Sequence, residues 1–255
     1  MARFKASPRD YKVVHEIDDY DLKAFVAVAR KFGSGRFGYV VTPNVDHLIR
    51  FNDDEGFRRL YADASFILND SRFTSYFLRV TRRIKLPVCA GSDLTAELLA
   101  TVVAPGDRIV LIGGTEVQAR RLAGRFGLSQ LLHHCPPMGF IKDPSAIEAC
   151  LKFVEDASPF RFCFVAVGSP QQEMLAKQLR ERDKARGLAL CIGSSINFLT
   201  GDEARAPRWI QQAGFEWLFR LCQNPRRLAG RYLIRGPRFF GNLRHARFVL
   251  RRDGR

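Results

Sequence analysis

The chain has 255 residues, of which 46% are hydrophobic and 26% charged, a balance typical of a folded globular protein. This composition excludes disorder throughout, and the 20 glycines and six cysteines exclude collagen-like and small disulfide-rich classes. No apolar run approaches the roughly 20 residues that cross a bilayer, and the amino-terminal segment has no apolar core of signal-peptide length. We therefore expect a cytoplasmic protein with reduced cysteines.

The net charge of +15 is concentrated at the carboxyl-terminal end. Residues 205–255 contain 13 arginines, no lysine and two acids, so they carry +11, whereas the preceding 204 residues carry about +4. Such a segment requires an anionic partner, which is a phosphate, a nucleic acid or an anionic lipid. We predict a near-neutral core over 1–204 and an arginine-rich helical appendage over 205–255.

Short apolar runs alternate with longer amphipathic stretches through the core. Their continuous hydrophobicity is typical of strands buried on both faces, and it predicts strands over 38–44, 65–70, 108–114, 161–170 and 188–195. The stretches between them predict helices over 45–62, 94–102, 115–126, 144–155 and 171–186. This alternation predicts an α/β fold with a Rossmann-like parallel sheet flanked by helices.

The appendage has a helical pattern in which arginines and apolar residues interleave. Breaks at Pro225 and Pro237 divide it into predicted helices over 208–222, 226–234 and 239–252. An apolar side opposite a cationic side suits helices that lie on an anionic membrane or that pack on the core.

Ligands of open parallel sheets bind beyond the carboxyl ends of the strands. Asp70 is the carboxylate that directly follows one of the predicted core strands, where it can act as a general base toward a hydroxyl. The alternative is that Asp70 is a helix N-cap, a position that favours aspartate.

Other strand ends carry weaker signals. Gly113 and Gly114 precede a helix whose amino terminus can hold a diphosphate, although a double glycine after a strand is common. Gln172 and Glu173 open a further helix, where they either bind sugar hydroxyls or cap and solvate its first turn. His133 and His134 point opposite ways on an extended segment, so we expect no metal site there.

Seven sequence blocks carry a family resemblance. They are TPN at 42–44, ND at 69–70, AGSDL at 90–94, GSPQQE at 168–173, FLTGDEARAPRWIQ at 198–211, FEWLFRL at 215–221 and NPRRLAGRYL at 224–233. In this order they resemble the WecG/TagA/CpsF glycosyltransferases, over residues from about 38 to 240.

The resemblance implies a cytoplasmic enzyme, peripheral at the inner face of the cell membrane. It implies transfer of a hexose or N-acetylhexosamine from a UDP-sugar to a polyprenyl-diphosphate-linked sugar, in bacterial cell-envelope or exopolysaccharide biosynthesis. Our leading hypothesis is an inverting, metal-independent glycosyltransferase without a cofactor. A catalytically degenerate membrane scaffold and a nucleic-acid-binding protein are the alternatives, and both a monomer and a homo-oligomer remain open.

The resemblance also assigns roles to residues. Asp70 corresponds to the general base, and the other catalytic positions are Thr42, Asn44 and Gln172. Arginines of the appendage correspond to those that meet the lipid diphosphate. The predicted substrate-binding set is Gly113, Gly114, Ser169, Arg72, Asn197, Arg220, Arg227 and Arg231.

The sequence departs from the family pattern at three places. Ser71 and Arg72 replace a glycine-rich turn after the aspartate, Val88 stands where the family usually has arginine, and Asn197 where it usually has aspartate. We expect these changes to lie near the substrates, with Arg72 replacing the charge missing at position 88.

Overall fold

The structure is a computed structural model that describes residues 13–33, 35–244 and 246–251. Its strands are β1 (Val13–Asp18), β2 (Phe37–Val41), β3 (Phe66–Ile67), β4 (Arg108–Ile112), β5 (Gln130–His134), β6 (Phe162–Val165), β7 (Gly187–Cys191) and β8 (Ala246–Arg251).

The helices of the core are α1 (Leu22–Lys31), α2 (Val45–Asp53), α3 (Glu55–Ala62), α4 (Arg72–Arg82), α5 (Gly91–Thr101), α6 (Glu116–Phe126), α7 (Pro144–Asp156), α8 (Gln171–Arg182) and α9 (Ser195–Thr200). Those of the appendage are α10 (Arg208–Gln212), α11 (Glu216–Gln223), α12 (Pro225–Ala229), a π-helical segment (Gly230–Arg235) and α13 (Arg238–Arg244).

Six strands form one parallel sheet in the order β3-β2-β7-β6-β4-β5. Alternate residues of a strand enter the two separate cores on its faces: Val110 and Ile112 of β4 enter one, and Ile109 and Leu111 enter the other. Helices α3, α7 and α8 cover the first face, and α1, α5, α6 and α9 cover the second. The predicted α/β fold with a parallel sheet is confirmed, and burial on both faces explains why its strands have continuous apolar sequences.

Several core helices differ from the prediction. The single helix expected over 45–62 is two helices, because the side chain of Asp54 accepts the Phe57 N–H and starts α3. Helices α1, α4 and α9 were not predicted. Ser71 caps α4 by accepting the Thr74 N–H, and the buried side chains of α4, such as Leu78, pack in a third core with Leu48 and Phe239.

The appendage begins as helices, as predicted, but its end is different. The predicted helix over 239–252 is wrong beyond Arg244, because residues 246–251 form β8, which pairs in parallel with β1. Arg251 donates from Nε and Nη2 to the two carboxylate oxygens of Asp18 at 2.9 and 2.7 Å. The same carboxylate accepts the Ile67 N–H of β3 at 2.6 Å, so this ion pair ties the end of the appendage to the edge of the main sheet.

Candidate active site

A cleft of about 620 Å³ lies at the carboxyl ends of β2, β3, β6 and β7. This volume falls within the about 300–1,000 Å³ of small-molecule sites. The core contributes the turns that follow these strands, and the appendage contributes the opposite wall. The lining residues used below are Thr42, Asn44, His47, Arg50, Asp70, Arg72, Phe73, Gly91, Ser169, Gln172, Gly193, Ser194, Phe198, Glu216, Arg220, Phe239 and Phe240.

A hydrogen bond from the first residue of α5 holds the Asp70 side chain in place. Its Oδ1 atom accepts the Gly91 N–H at 2.8 Å, which is a donor that the helix itself leaves unpaired. A side chain at position 91 would place its Cβ 2.8 Å from the Oγ1 atom of Thr42, so only glycine permits this close approach. The N-cap of α4, the helix that follows Asp70, is Ser71, so Asp70 does not cap it. The predicted catalytic residues Asp70 and Thr42 both lie beside Gly91.

The electrostatic surroundings of Asp70 suit a general base. Burial in the cleft raises the pKa of its carboxyl, and the neighbouring carboxylates of Glu216 and Asp93 raise it as well. The Gly91 N–H and the guanidinium of Arg220 lower the pKa and partly offset this effect. A raised pKa makes the ionised carboxylate a better proton acceptor.

Asn44 caps α2. Its side chain accepts the Asp46 N–H at 3.1 Å, and the Nδ1 atom of His47 accepts the Asn44 N–H at 3.2 Å, which closes a capping box. The Nδ1 atom of His47 also lies 2.9 Å from Oδ1 of Asn44, and its Nε2 atom lies 3.7 Å from Oε1 of the buried carboxyl of Glu173.

Gln172 is buried beneath the cleft, and both ends of its amide are occupied. Its Oε1 atom accepts the Gly193 N–H at 2.8 Å, and its Nε2 atom donates to Oε1 of Glu173 at 3.0 Å. Burial raises the pKa of Glu173, while its bond from Gln172 and the charge of Arg50 oppose the rise. Gln172 thus holds the β7 turn in place.

Arg220 brings the appendage into the cleft. Its Nη2 atom donates to the Ser194 hydroxyl at 3.2 Å, and its guanidinium lies 4.7 Å from the centre of the Phe198 ring. Both partners belong to the core, at the carboxyl end of β7. The side chains of Arg227 and Arg231, which were predicted to act with Arg220, lie outside the part of the chain that the structure describes.

Arg72 also lines the cleft, where it donates to Asp93 at 2.9 Å. Asp93 pairs on its other oxygen with Arg205 of the appendage. The Asp93 carboxylate therefore links Arg72 of the core to Arg205 of the appendage. Val88 is outside the cleft lining.

Three predicted substrate-binding residues are not brought to this cleft. Gly113 and Gly114 follow β4, which lies beyond β6 from the cleft, and both have positive φ angles of 90° and 71°. Asn197 accepts from Gln118 at 3.1 Å and donates to Glu203 at 3.2 Å, at the contact between α6 and α9. The departure from the family at position 197 thus affects a helix contact, and the substrate roles of these residues stay predictions.

Some lining residues were missed by the sequence reasoning. Glu216 lies in the FEWLFRL block, but nothing in its spacing indicates that it faces Asp70, because the two are 146 positions apart. His47 stands three residues after Asn44, the spacing of a capping box, although glutamate or glutamine is usual there.

Among the described residues, no group of three or more His, Cys, Asp or Glu side chains is placed to hold a metal ion. In the same part of the chain, no helix is long and apolar enough to cross a membrane. The six cysteines are free, and four of them are buried, at positions 89, 150, 163 and 191.

The fold and the cleft together define an α/β enzyme with its site at the carboxyl ends of parallel strands. The model of the Glycosyl transferase WecG/TagA/CpsF family matches residues 12–253, nearly the whole chain. The chain belongs to this family and is a glycosyltransferase, which takes a nucleotide-sugar donor and an acceptor. The match includes β1 and β8, so it extends beyond the range of about 38 to 240 seen in the sequence blocks.

Proposed function

We propose that this glycosyltransferase moves a hexose or N-acetylhexosamine from a UDP-sugar to a sugar linked through diphosphate to a polyprenol. The product would serve bacterial cell-envelope or exopolysaccharide biosynthesis. The observation that carries this proposal is the convergence of Asp70 from the core and Arg220 from the appendage on one cleft. In this arrangement the Asp70 carboxylate would accept a proton, and the nearby guanidinium of Arg220 would bind a phosphate.

In the proposed reaction the acceptor hydroxyl oxygen attacks the anomeric carbon of the donor sugar. The bond between that carbon and the diphosphate oxygen breaks, and the nucleoside diphosphate leaves with the bonding electrons. The hydroxyl proton passes to the carboxylate of Asp70. Attack on the face opposite the leaving group inverts the configuration at the anomeric carbon.

The remaining groups would orient the substrates and stabilise the charge of the two diphosphates. A guanidinium can grip a phosphate with two parallel hydrogen bonds, and we assign this role to Arg220, with Arg227 and Arg231 as further candidates. Arg72 would contribute positive charge from the core side. Because these arginines would stabilise the negative charge of the leaving diphosphate, we propose that transfer needs neither a metal ion nor a cofactor.

We further propose that the enzyme works peripherally at the inner, cytoplasmic face of the cell membrane, where a polyprenyl acceptor is embedded. The appendage supports this placement because it exposes large apolar side chains beside its arginines, among them Trp209, Leu233 and Ile234. Anionic lipid is therefore the partner proposed for the appendage, rather than nucleic acid.

The test is a donor screen with the full chain. UDP-linked hexoses and N-acetylhexosamines are each incubated with a polyprenyl-diphosphate sugar, with and without excess EDTA, and the anomeric configuration of the product is determined by NMR. We expect one UDP-sugar to be transferred with inversion and with unchanged rates in EDTA. Failure of every donor, with binding to acceptor-containing vesicles retained, would instead support a degenerate scaffold. Loss of turnover in EDTA with recovery on added Mg²⁺ would contradict the arginine-based account.

A further inference from the structure

Helix α4 has an exposed face that no part of the described chain covers. Tyr76, Arg79 and Val80 stand at positions i, i+3 and i+4 on one face of the helix, and the exposed Arg83 follows directly after its last residue; we call these four residues the stripe. The stripe is apolar as well as cationic: Tyr76 is 59% exposed and Val80 62%. The guanidinium of Arg79 lies 5.8 Å from the centre of the Tyr76 ring.

The opposite face of α4 is firmly packed, so the stripe is presented on a rigid support. Leu78 is fully buried in the core shared with α2 and α13. Phe77 contacts Phe239 and Phe240 of α13, with ring centres 6.1 and 5.2 Å apart. Arg82 donates to main-chain carbonyls at the end of the appendage, Leu243 and Ala246.

The charge around this stripe is of one sign. Residues 71–92 contain five basic side chains and no acidic one. Arg72 and Arg82 face inward to the partners already described, which leaves Arg79, Arg83 and Lys85 exposed. An exposed apolar face next to three cations complements an anionic bilayer, where rings and aliphatic groups enter the interface and guanidinium groups meet headgroups.

The first turn of α4 lies at the cleft. Arg72 and Phe73, in the first turn of α4, line the cleft together with Phe239 and Phe240 of α13. Phe240 is itself 47% exposed. The contact between α4 and α13 thus forms part of the cleft rim, and the exposed stripe starts about one helical turn further along α4.

We propose that the exposed face of α4 is a bilayer-docking surface of the core, which turns the cleft rim toward an anionic membrane. This inference rests on the proposed function, because a lipid-linked acceptor must reach the cleft from the bilayer. It assigns membrane contact to the core as well as to the appendage. The stripe would act by orienting the enzyme, without contacting the reacting sugars.

The test measures binding to vesicles of phosphatidylglycerol and phosphatidylcholine by sedimentation, and turnover with two acceptors. One acceptor is a polyprenyl-diphosphate sugar in those vesicles, and the other has a short, water-soluble chain. The charge variant is Arg79→Gln with Arg83→Gln, and the apolar variant is Tyr76→Ser with Val80→Ser. All four side chains are exposed, so both proteins should fold.

Each arginine near an anionic surface contributes about 1 kcal/mol, so the charge variant should bind these vesicles about 25-fold more weakly. The apolar variant should also bind more weakly. Both should lose turnover of the vesicle-bound acceptor and keep kcat/KM for the soluble one.

Matched control variants lie on elements away from α4 and outside the cleft lining. Arg120→Gln with Lys152→Gln removes two exposed cations from α6 and α7. Val117→Ser with Met138→Ser removes two apolar side chains that are 48% and 102% exposed. Neither control should change vesicle binding by more than about twofold.

Equal vesicle binding by the α4 variants and their controls would overturn the proposal. It would also be overturned if the only effect of the α4 substitutions were a shift from dimer to monomer. Salt-sensitive binding of the α4 stripe to oligonucleotides, with unchanged vesicle binding, would overturn it in favour of nucleic acid. Vesicle binding is measured without turnover, so a failure of the proposed reaction leaves this test intact.

Discussion

The carboxylate of Asp70 and the main-chain N–H of Gly91 are joined by a hydrogen bond of 2.8 Å, across the floor of the cleft. The bond serves two purposes, since it satisfies an open donor at the start of α5 and fixes the rotamer of the proposed base. It depends on the absence of a side chain at position 91, where Thr42 lies too close for a Cβ.

Gly91→Ala is therefore expected to lower kcat by about tenfold or more, because a misplacement of about 1 Å in a catalytic group can cost as much as about 10². The new methyl group must displace Thr42 or the first turn of α5. Steady-state kinetics and thermal melting of the purified variant measure this. Gly124→Ala is the matched control, since its Cβ would meet nothing within 4 Å and alanine favours a helix. Equal kcat values for the two variants would show that the Asp70–Gly91 geometry is unimportant.

The pH dependence of kcat/KM should report the charges around Asp70. A base must be ionised, so activity is lost as the pH falls through the pKa of Asp70, which burial raises above its ordinary value. Glu216→Gln removes a charge that raises this pKa and should move the acidic limb to lower pH. Arg220→Met removes a charge that lowers the pKa and should move the limb to higher pH, in addition to lowering the rate.

The two shifts have opposite signs, which separates them from a general loss of structure. Arg120→Gln, on the exposed surface of α6, should leave the limb in place. An acidic limb that responds to neither Glu216→Gln nor Arg220→Met would assign the limb to a group other than Asp70.

Glu173 should act as a positioning residue for the two sides of the cleft. It lies between the Asn44–His47 cap and the Gln172–Gly193 contact. Because burial raises the pKa of Glu173, the neutral glutamine of Glu173→Gln should substitute well and keep kcat within about threefold. Glu173→Ala leaves the Gln172 amide unpaired, which costs about 1–3 kcal/mol of folding stability. Because it also releases Gln172 from the Gly193 turn, it should lower kcat/KM more than Glu173→Gln does.

Amide exchange gives a readout that does not need activity. The Gly193 N–H should exchange faster in Glu173→Ala than in wild type, because its acceptor Gln172 is released. Glu155→Ala in α7 is the control, since Glu155 pairs with Arg182 away from the cleft. If Glu173→Gln is as impaired as Glu173→Ala, the carboxyl has a role other than holding Gln172.

The fold of the core could be predicted from sequence because its strands are buried on both faces, which gives uninterrupted apolar runs such as the one that became β4. Asp70, Thr42 and Gln172, which stand near the carboxyl ends of these runs, line one cleft in the structure, and their catalytic roles stay predictions. The predicted helix over 45–62 failed at Asp54, where a single cap divides a continuous amphipathic pattern.

Other features depend on contacts that are distant in sequence. The carboxylate of Asp18 and the guanidinium of Arg251 are 233 positions apart, and the strand at the end of the chain exists because β1 offers it an edge. An Arg-rich, partly apolar segment gives no sign of that partner. The helical interpretation of residues 246–251 was wrong for this reason.

Arg251→Met should destabilise the protein by about 3–5 kcal/mol, because it leaves the fully buried carboxylate of Asp18 without its counter-charge. Urea unfolding at neutral pH measures the loss, and Asp18→Asn combined with Arg251→Met should recover part of it. Arg247→Met is the matched control on the same strand, since that side chain is exposed. Similar midpoints for Arg251→Met and Arg247→Met would mean that the β1–β8 ion pair does not stabilise the fold.

The proposed role of Asp70 as the general base is tested most directly by the turnover of Asp70→Asn. Asparagine keeps an oxygen that can accept the Gly91 N–H, so the start of α5 and the binding of the nucleotide-sugar donor should be unchanged by calorimetry. Loss of a general base costs about 10²–10⁴ in rate, and we expect kcat to fall by that factor with the soluble acceptor. A variant that binds the donor normally and turns over at nearly the wild-type rate would contradict the account.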